Sequence, residues 1–372
     1  MRVIFAGGGT AGHINPALAV AKYIKDKQPD AQILFVGIEK GMESELVPKA
    51  GFDIKYIDVL GFKRSFDVQN IVAVAKVFNA FFQSSKIIKE FKPDVVIGTG
   101  GYVSGPVLAS AVMAKIPTLI HEQNVFAGMT SKILGNIVDV VCISFAESMK
   151  SFKNAKKIVH TGNPLRSELF NISKNTARAG LKIGTKPFIV AFGGSLGAKR
   201  LNDAVLDFIY KSKGKKNFEL LLATGGGQFE DVTNEIFQKG ITKNNTPNVR
   251  VVKYIHNMDE VLSAADLVIG RAGAITISEI NALGKPSILI PSPNVTNNHQ
   301  EYNARALEKQ GAAIVFTEKE LKENVLCKTI NDLISNEITL KKMSQNSMKM
   351  GIKNGTEKIY DLIIKLLKEK SR

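Results

Sequence analysis

Three groups of residues are of types, and at spacings, that could do chemistry. His13 ends the turn Gly7-Gly8-Gly9-Thr10-Ala11-Gly12 and opens a helix that carries Pro16. The positive end of a helix dipole favours the neutral imidazole that a general base requires. The alternative is a histidine that caps its helix or orients a phosphate. His121-Glu122 closes an apolar run; Glu122 is either a carboxylate that takes a proton or orients His13, or half of a structural pair at a strand end. The third group is Asp266-Leu267-Val268-Ile269-Gly270-Arg271-Ala272-Gly273-Ala274-Ile275-Thr276-Ile277-Ser278-Glu279. It reads as a short buried strand, a turn on Gly270 and Gly273, and a helix opening near Ala274. The start of a helix offers unpaired N–H groups to an anion, and Gly273 lets a phosphate approach the main chain. Glu279 then accepts two hydrogen bonds side by side, as the vicinal hydroxyls of a ribose would offer them. A nucleoside diphosphate is implied; the plainer alternative is an ordinary strand–helix turn with an exposed glutamate.

Other turns add to this. Gly98-Thr99-Gly100-Gly101-Tyr102-Val103-Ser104-Gly105-Pro106 gives the first half of the chain a second glycine turn, so an anion site is expected there. Gly193-Gly194-Ser195-Leu196-Gly197-Ala198 lies in the second half, and Thr224-Gly225-Gly226-Gly227 reads as a turn without an assigned role. Arg166, just past Pro164, is placed to neutralise phosphate. No Asp-x-Asp follows an apolar strand and no His/Asp cluster has ligand spacing, so no metal site is expected. A leaving phosphate must then be stabilised by helix N-termini and basic groups.

The elements that must position these residues alternate. Residues 3–6, 33–36, 54–57, 95–97, 118–120, 140–143 and 157–159 read as strands with helical patterns between most of them. Thr161-Gly162-Asn163-Pro164 reads as a hinge, after which strands at 188–192, 220–223, 268–269 and 287–290 restart the alternation, with a helix around 300–309. The fold expected is α/β, with two doubly wound Rossmann-like domains at 1–163 and 164–349 facing a cleft. An amphipathic C-terminal helix, within about 350–372, is expected to pack back on the first domain. Ligands bind such sheets at the carboxyl ends of the strands.

Composition bounds the rest. The 372 residues, 44% hydrophobic and 23% charged, suit two soluble domains. Lys+Arg 50 against Asp+Glu 34 gives +16, and the pI is about 9.6, which draws the chain to a polyanion: nucleic acid, a phosphorylated substrate or an anionic membrane. With 7% aromatics, no Trp and no recognisable nucleic-acid module, nucleic acid is not expected. Cys142 and Cys327, far apart, suggest neither a disulfide nor a zinc site and fit a reducing cytoplasm. The first strand runs straight into a glycine turn, so no signal peptide is expected, and no apolar run approaches the ~20 residues of a membrane span.

Six motifs in order carry a resemblance: Gly8-Gly9-Thr10-Ala11-Gly12-His13, the turn at 98–106, His121-Glu122-Gln123-Asn124, Gly162-Asn163-Pro164-Leu165-Arg166, Gly193-Gly194-Ser195-Leu196-Gly197, and Arg271 to Glu279. Together they resemble the MurG family, bacterial enzymes that form lipid II. The family transfers N-acetylglucosamine from UDP-GlcNAc to the C4 hydroxyl of MurNAc in undecaprenyl-pyrophosphoryl-MurNAc-pentapeptide (lipid I). The resemblance implies a GT-B fold, metal-independent chemistry and inversion at the anomeric carbon. It implies that Ser195 and its turn approach the diphosphate, that Ile255 lies against the uracil, and that Ala274, Ile275, Thr276, Ile277, Ser278 and Glu279 hold phosphate and ribose. Gln300 matches a donor-sugar contact, while Thr10, Ala11 and Gly12 close over the donor with Asn124 and Arg166. In that setting His13 is the expected base and Glu122 the runner-up. Gly100, Gly101, Tyr102 and Ser104 are expected at the acceptor's pyrophosphate. Ala11 stands where the family usually has glycine, and Leu196 where many relatives have glutamine. A diacylglycerol glycosyltransferase or a UDP-GlcNAc 2-epimerase would share the donor site, but the 98–106 turn and His121-Glu122-Gln123-Asn124 argue against both. A non-catalytic sugar-nucleotide-binding scaffold leaves His13 unexplained.

A lipid-linked acceptor requires a membrane contact, expected to be peripheral and on the cytoplasmic side of the cell membrane. Residues 68–92 read as one long helix in which Ile71, Val72, Val74, Val77, Phe78, Phe81, Phe82, Ile87 and Ile88 cover more of the circumference than one core stripe needs. Lys63, Arg64, Lys76, Lys86, Lys89 and Lys92 ring it. Ile71, Val74, Phe78, Phe81 and Phe82 are the expected patch that inserts among anionic headgroups. The alternative is a helix buried on both faces. The sequence leaves open which partners in division or elongation complexes the chain meets.

Overall fold

The computed structural model describes residues 1–60 and 69–370, and for 69–75 it gives the course of the backbone only. The chain divides into two compact units, Met1–Leu165 with Ile352–Arg372, and Arg166–Gly351. The first is built from β1 (Arg2–Gly7), α1 (Ala11–Lys27), β2 (Gln32–Gly37), α2 (Glu43–Lys49), β3 (Asp53–Tyr56), α3 (Gln69–Phe91), β4 (Val95–Gly100), α4 (Ser104–Met113), β5 (Thr118–Glu122), α5 (Met129–Gly135), β6 (Val140–Ile143) and β7 (Ile158–His160). The second contains α6 (Lys174–Gly180), β8 (Phe188–Phe192), α7 (Lys199–Lys211), β9 (Glu219–Ala223), α8 (Phe229–Gln238), β10 (Val249–Val252), α9 (Met258–Ala264), β11 (Leu267–Gly270), α10 (Ala274–Ala282), β12 (Ser287–Leu289), α11 (His299–Lys309), β13 (Ala313–Val315), α12 (Val325–Ile334) and α13 (Glu337–Met350). The chain then returns to the first unit as α14 (Gly355–Lys370).

Each unit has one parallel sheet. The first runs β3-β2-β1-β4-β5-β6-β7, the second β10-β9-β8-β11-β12-β13. The central strands are apolar throughout because helices cover both faces of a parallel sheet. In the first unit, Val3, Phe5, Val95 and Ile97 pack on one face with Ile14, Val20 and Ile24 of α1. Ile4, Ala6 and Val96 pack on the other with Val107 and Leu108 of α4. That two-residue alternation is the pleat of the strand. α14 lies on α1 and buries Ile359, Ile363 and Leu366 in the same cluster as Phe5. At about 1.5–3 kcal/mol for each fully buried aliphatic side chain, this anchors the C-terminus to the first unit.

Strand order places the turns. β1 has β2 on one side and β4 on the other, so the helices that follow β1 and β4 cover opposite faces of the sheet and the two strands mark its switch point. β8 and β11 do the same in the second sheet. Four of the glycine turns read from the sequence are the loops after these four strands. β10 and β13 were not legible as strands: both are edge strands of three or four residues, and Arg250 interrupts the first.

α3 departs from the sequence reading. Ala80, Ile87 and Ile88 are buried in the core, Val77 packs against it, and Ser84 is buried with its hydroxyl on the Ala80 carbonyl at 2.6 Å. One stripe of the helix is therefore core, and Ile87 and Ile88 are not part of an apolar ring. Phe78 and Phe82 are 64% and 68% exposed, and Phe81 is half-buried. Lys76 is paired with Asp58 at 2.8 Å. Lys63 and Arg64, and the side chains of Ile71, Val72 and Val74, lie outside the described residues.

Candidate active site

In the first unit the turn after β1 sets His13. Gly9 has φ +82°, a left-handed conformation that glycine adopts without strain. The Thr10 carbonyl then accepts the first helical bonds, from His13 N at 3.0 Å and Ile14 N at 3.2 Å. This puts His13 on the opening turn of α1 with Nδ1 at 3.0 Å from the Gly8 carbonyl and 3.4 Å from the Thr10 hydroxyl. A carbonyl only accepts, so Nδ1 carries the proton and the lone pair of the neutral ring is on Nε2. The chemistry available at His13 is therefore removal of a proton by Nε2. Ala11 is half-buried and Gly12 exposed on the same turn.

The turn after β4 meets it backbone to backbone. Gly100 and Gly101 have φ +103° and +77°, and a Cβ on Gly101 would lie 2.5 Å from the Gly8 carbonyl. Tyr102 is 44% exposed, with its hydroxyl beside Gly9. Ser104 corrects an expectation. Its hydroxyl is fully buried, 2.7 Å from the Ala6 carbonyl and 2.8 Å from that of Gly100, and accepts from Gly100 N at 3.1 Å. It is a strut between the two turns, not a contact presented to a pyrophosphate.

Glu122 is a second correction. It is 2% exposed, and both carboxylate oxygens are engaged: Oε1 accepts from Asn124 N at 3.0 Å and Asn124 Nδ2 at 3.3 Å, Oε2 from Gly128 N at 3.0 Å. The carboxylate ties down the loop after β5 and holds Asn124. His121 is buried between the Gly162 carbonyl and Gln123, and burial pushes its pKa down to about 4. It is a neutral structural residue.

In the second unit a cavity of 570 Å³ opens at the ends of β8 and β11. Ser195, Gly273, Thr276 and Gln300 line it. Gly194 and Gly197 have φ +90° and +82°, so the chain after β8 doubles back and presents Ser195 and Leu196 to solvent. Gly273 is the N-cap of α10, so the positive end of that helix starts at the cavity wall. Gln300 is oriented by its own loop: Oε1 accepts from Ser292 N at 2.9 Å, which leaves the NH2 group as the end that donates to a ligand. Ile277 is fully buried, so only its backbone can face a ligand, and Ala274 is buried too. Ile275 and Ser278 are half-buried, and Ile255 sits half-buried after β10, outside the cavity lining.

Glu279 is not the exposed glutamate of the plainer alternative. Its side chain is 13% exposed and meets Arg166 Nη2 at 3.6 Å. Burial raises its pKa above 4.5, and Arg166 draws it back. A buried carboxylate with one long ion pair retains lone pairs for hydroxyl donors.

Residues 3–143 match the glycosyltransferase family 28 N-terminal domain and residues 188–359 the family's C-terminal domain. A UDP-N-acetylglucosamine–N-acetylmuramyl-(pentapeptide) pyrophosphoryl-undecaprenol N-acetylglucosamine transferase of Acetivibrio thermocellus is 51% identical over 372 residues, covering 100% of each chain. The chain belongs to glycosyltransferase family 28. A relative of the same name from Ruminiclostridium cellulolyticum is 50% identical over 368 residues, 99% of this chain and 100% of that one. The crystal structure of Acinetobacter baumannii MurG matches with a TM-score of 0.78 at 30% identity, covering 98% of this chain and 99% of that one. The MurG resemblance therefore extends over the whole chain, and the two sheets are those of the GT-B fold.

Some residues of this family 28 site had no role in the sequence reading. Arg271 donates to the carbonyls of Ile290 and Pro291 at 3.0 and 3.1 Å and pairs with Glu318, bracing the loop that orients Gln300. Gln228 lines the cavity with Oε1 held by Asn202 at 2.8 Å. Gly225, with φ +81°, belongs to a turn packed so closely on Gly197 that a Cβ would sit 2.2 Å from its nitrogen. In the first unit Glu43 is fully buried against the His13 turn. Arg271 stands inside a quoted motif and was legible as a candidate; Glu43 lies in a helical pattern that gives no such signal.

Proposed function

We infer that the protein transfers N-acetylglucosamine from UDP-GlcNAc to the C4 hydroxyl of MurNAc in undecaprenyl-pyrophosphoryl-MurNAc-pentapeptide, giving lipid II and UDP in peptidoglycan synthesis. The observation that carries this is the 51% identity, end to end, with a transferase of that name. In the reaction His13 Nε2 takes the C4 hydroxyl proton while that oxygen attacks C1 of the donor sugar from the face opposite UDP. The bond from C1 to the diphosphate oxygen breaks, the configuration inverts, and UDP leaves. The Nδ1 bond to the Gly8 carbonyl, which leaves the lone pair on Nε2, supports this role for His13, and the engaged carboxylate of Glu122 supports a positioning role for that residue.

UDP departs without a metal in this reading. Its developing charge meets the N–H groups at the start of α10, the turn at Ser195, and Arg166. Glu279 holds the ribose, Gln300 a hydroxyl or carbonyl of the sugar, and Ile255 the uracil. By the MurG resemblance Thr10, Ala11, Gly12 and Asn124 are assigned to the donor, and Gly100, Gly101 and Tyr102 to the acceptor's pyrophosphate. Association with an anionic membrane is peripheral, through Phe78 and Phe82 with Lys86 and Lys89 exposed on the same helix, at the cytoplasmic side. Among the described residues no helix is long and apolar enough to cross a membrane.

UDP release from UDP-GlcNAc, measured with and without a short-chain lipid I analogue, tests the reading. Release that depends on the analogue is expected. Release at the same rate without it would make the protein a hydrolase or an epimerase-like enzyme, and no release at all a binding module.

A further inference from the structure

Glu43, the first residue of α2, is 0% exposed. Its Oε2 accepts from Gly9 N at 3.0 Å and its Oε1 from Ile38 N at 3.1 Å. Three glycines make the space for the carboxylate. A Cβ would lie 2.2 Å from Oε1 at Gly8, 2.5 Å from Cγ at Gly37, and 2.4 Å from Cδ at Gly41. A carboxylate taken out of water is kept only where hydrogen bonds compensate it, so this socket is built around the charge.

What the carboxylate grips is half of a peptide group whose other half grips His13. The Gly9 N–H and the Gly8 carbonyl belong to one planar amide. The carbonyl accepts from His13 Nδ1 at 3.0 Å while the N–H donates to Glu43 at 3.0 Å. A charge-assisted bond at the N–H polarises the amide, shifts negative charge onto the carbonyl oxygen and strengthens its bond from Nδ1–H. A carboxylate on Nδ1–H is the device that fixes the tautomer of a catalytic histidine and stabilises its imidazolium. Here a peptide plane stands between the two.

We propose that Glu43 is a positioning residue for the transfer, acting through the Gly8–Gly9 peptide to hold the His13 imidazole with Nε2 as the acceptor and to make it a stronger base. This rests on the reading of His13 as the base. The imidazole is faced by the Thr10 hydroxyl of its own helix start, the Gly8 carbonyl of the β1 turn and the Gly100 backbone of the β4 turn. The titratable groups beside this peptide are Glu43 and, next to Gly9, the Tyr102 phenol.

The test uses the full chain with UDP-GlcNAc and a soluble lipid I analogue, comparing wild type with Glu43→Gln, His13→Gln and the double variant. A base that must be neutral gives kcat/KM an acidic limb that rises with pH. For Glu43→Gln the expected result is a fall in kcat of about ten- to a hundredfold, donor KM within about twofold, and an acidic limb moved to lower pH by about half a unit or more. The double variant should be about as slow as His13→Gln alone, since the two act as a unit. A folded Glu43→Gln enzyme whose limb stays at the wild-type pH overturns the relay, whatever its kcat. Persistence of the limb in His13→Gln overturns the base assignment instead. Should Glu43→Gln not fold, ¹⁵N-histidine spectra of the wild-type protein decide: His13 with its proton on Nδ1 is expected, and the Nε2–H tautomer refutes the proposal.

Discussion

Replacing His13 by Ala should lower kcat by about 10²–10⁴ with little change in donor affinity, because proton transfer is lost and donor contacts are kept. Full activity in that variant would pass the role to water. Glu279 makes a prediction of the opposite kind, in which stability and function separate. A carboxyl whose folded pKa is raised contributes stability below its unfolded value, and this is lost as pH rises through the folded value. Burial raises Glu279 in this way. Ionising this carboxyl inside the fold is therefore a cost, which Glu279→Gln removes at constant size. The variant should melt at or above the wild-type temperature while its KM for UDP-GlcNAc rises about ten- to a hundredfold, the worth of a hydrogen-bonded carboxylate. An unchanged KM would remove Glu279 from the ribose. These roles rest on atoms that a sequence does not display. That Nδ1 and not Nε2 carries the His13 proton follows from the Gly8 carbonyl, and that Glu122 is occupied follows from the Asn124 and Gly128 amides.

Between elements, Asp266 joins α6 to the start of β8 and β11. It accepts from Phe188 N at 2.8 Å and Arg178 Nη1 at 2.7 Å, and pairs with Lys174. Burial pushes its pKa up, but the Lys174 bond, the Phe188 N–H and the Arg178 bond outweigh this and hold it below 3.8. A depressed carboxylate contributes stability above its unfolded value and loses it as pH falls through the folded one. Asp266→Asn should therefore lower the urea midpoint at pH 7, by an amount equivalent to about 1.5–3 kcal/mol. The difference from wild type should narrow as the pH is taken below 3.8. Parallel titration curves for the two proteins would refute this. α3 carries the other prediction at this scale. Because Phe81 is half-buried and Phe82 exposed, the pair to change is Phe78→Ser with Phe82→Ser. The double variant should lose binding to anionic vesicles while keeping its melting temperature and its turnover of a soluble acceptor. Retained vesicle binding would place the membrane contact elsewhere.

For the molecule as a whole the net charge of +16 sets the terms of the proposed membrane binding. Each Lys or Arg near an anionic surface contributes ~1 kcal/mol, and salt screens it over a Debye length of about 10 Å at 0.1 M. Vesicle binding should thus weaken steeply between 0.05 and 0.5 M salt, and should fail on neutral vesicles at the higher salt. Turnover of a soluble acceptor in the same buffers should change far less. Binding that is indifferent to salt would leave the apolar side chains to carry it alone.

The sequence by itself determined the architecture. Short apolar runs between helical patterns require a parallel sheet covered on both faces, and glycine turns after such strands mark where ligands enter. It also determined the family, since six motifs in order survive as one-dimensional strings. Only the tertiary structure decided which side chains in those motifs are taken up inside the fold. Ser104, Ile277 and Glu122 share motifs with residues on the site, yet Ser104 bridges two turns, Ile277 fills the core, and Glu122 ties a loop. The two-residue and 3.6-residue periods fix which way a side chain points, but not what stands opposite. Glu43 shows the same limit from the other side. Its partner Gly9 is 34 residues away in the chain, and only the pairing of β1 with β2 brings the two together.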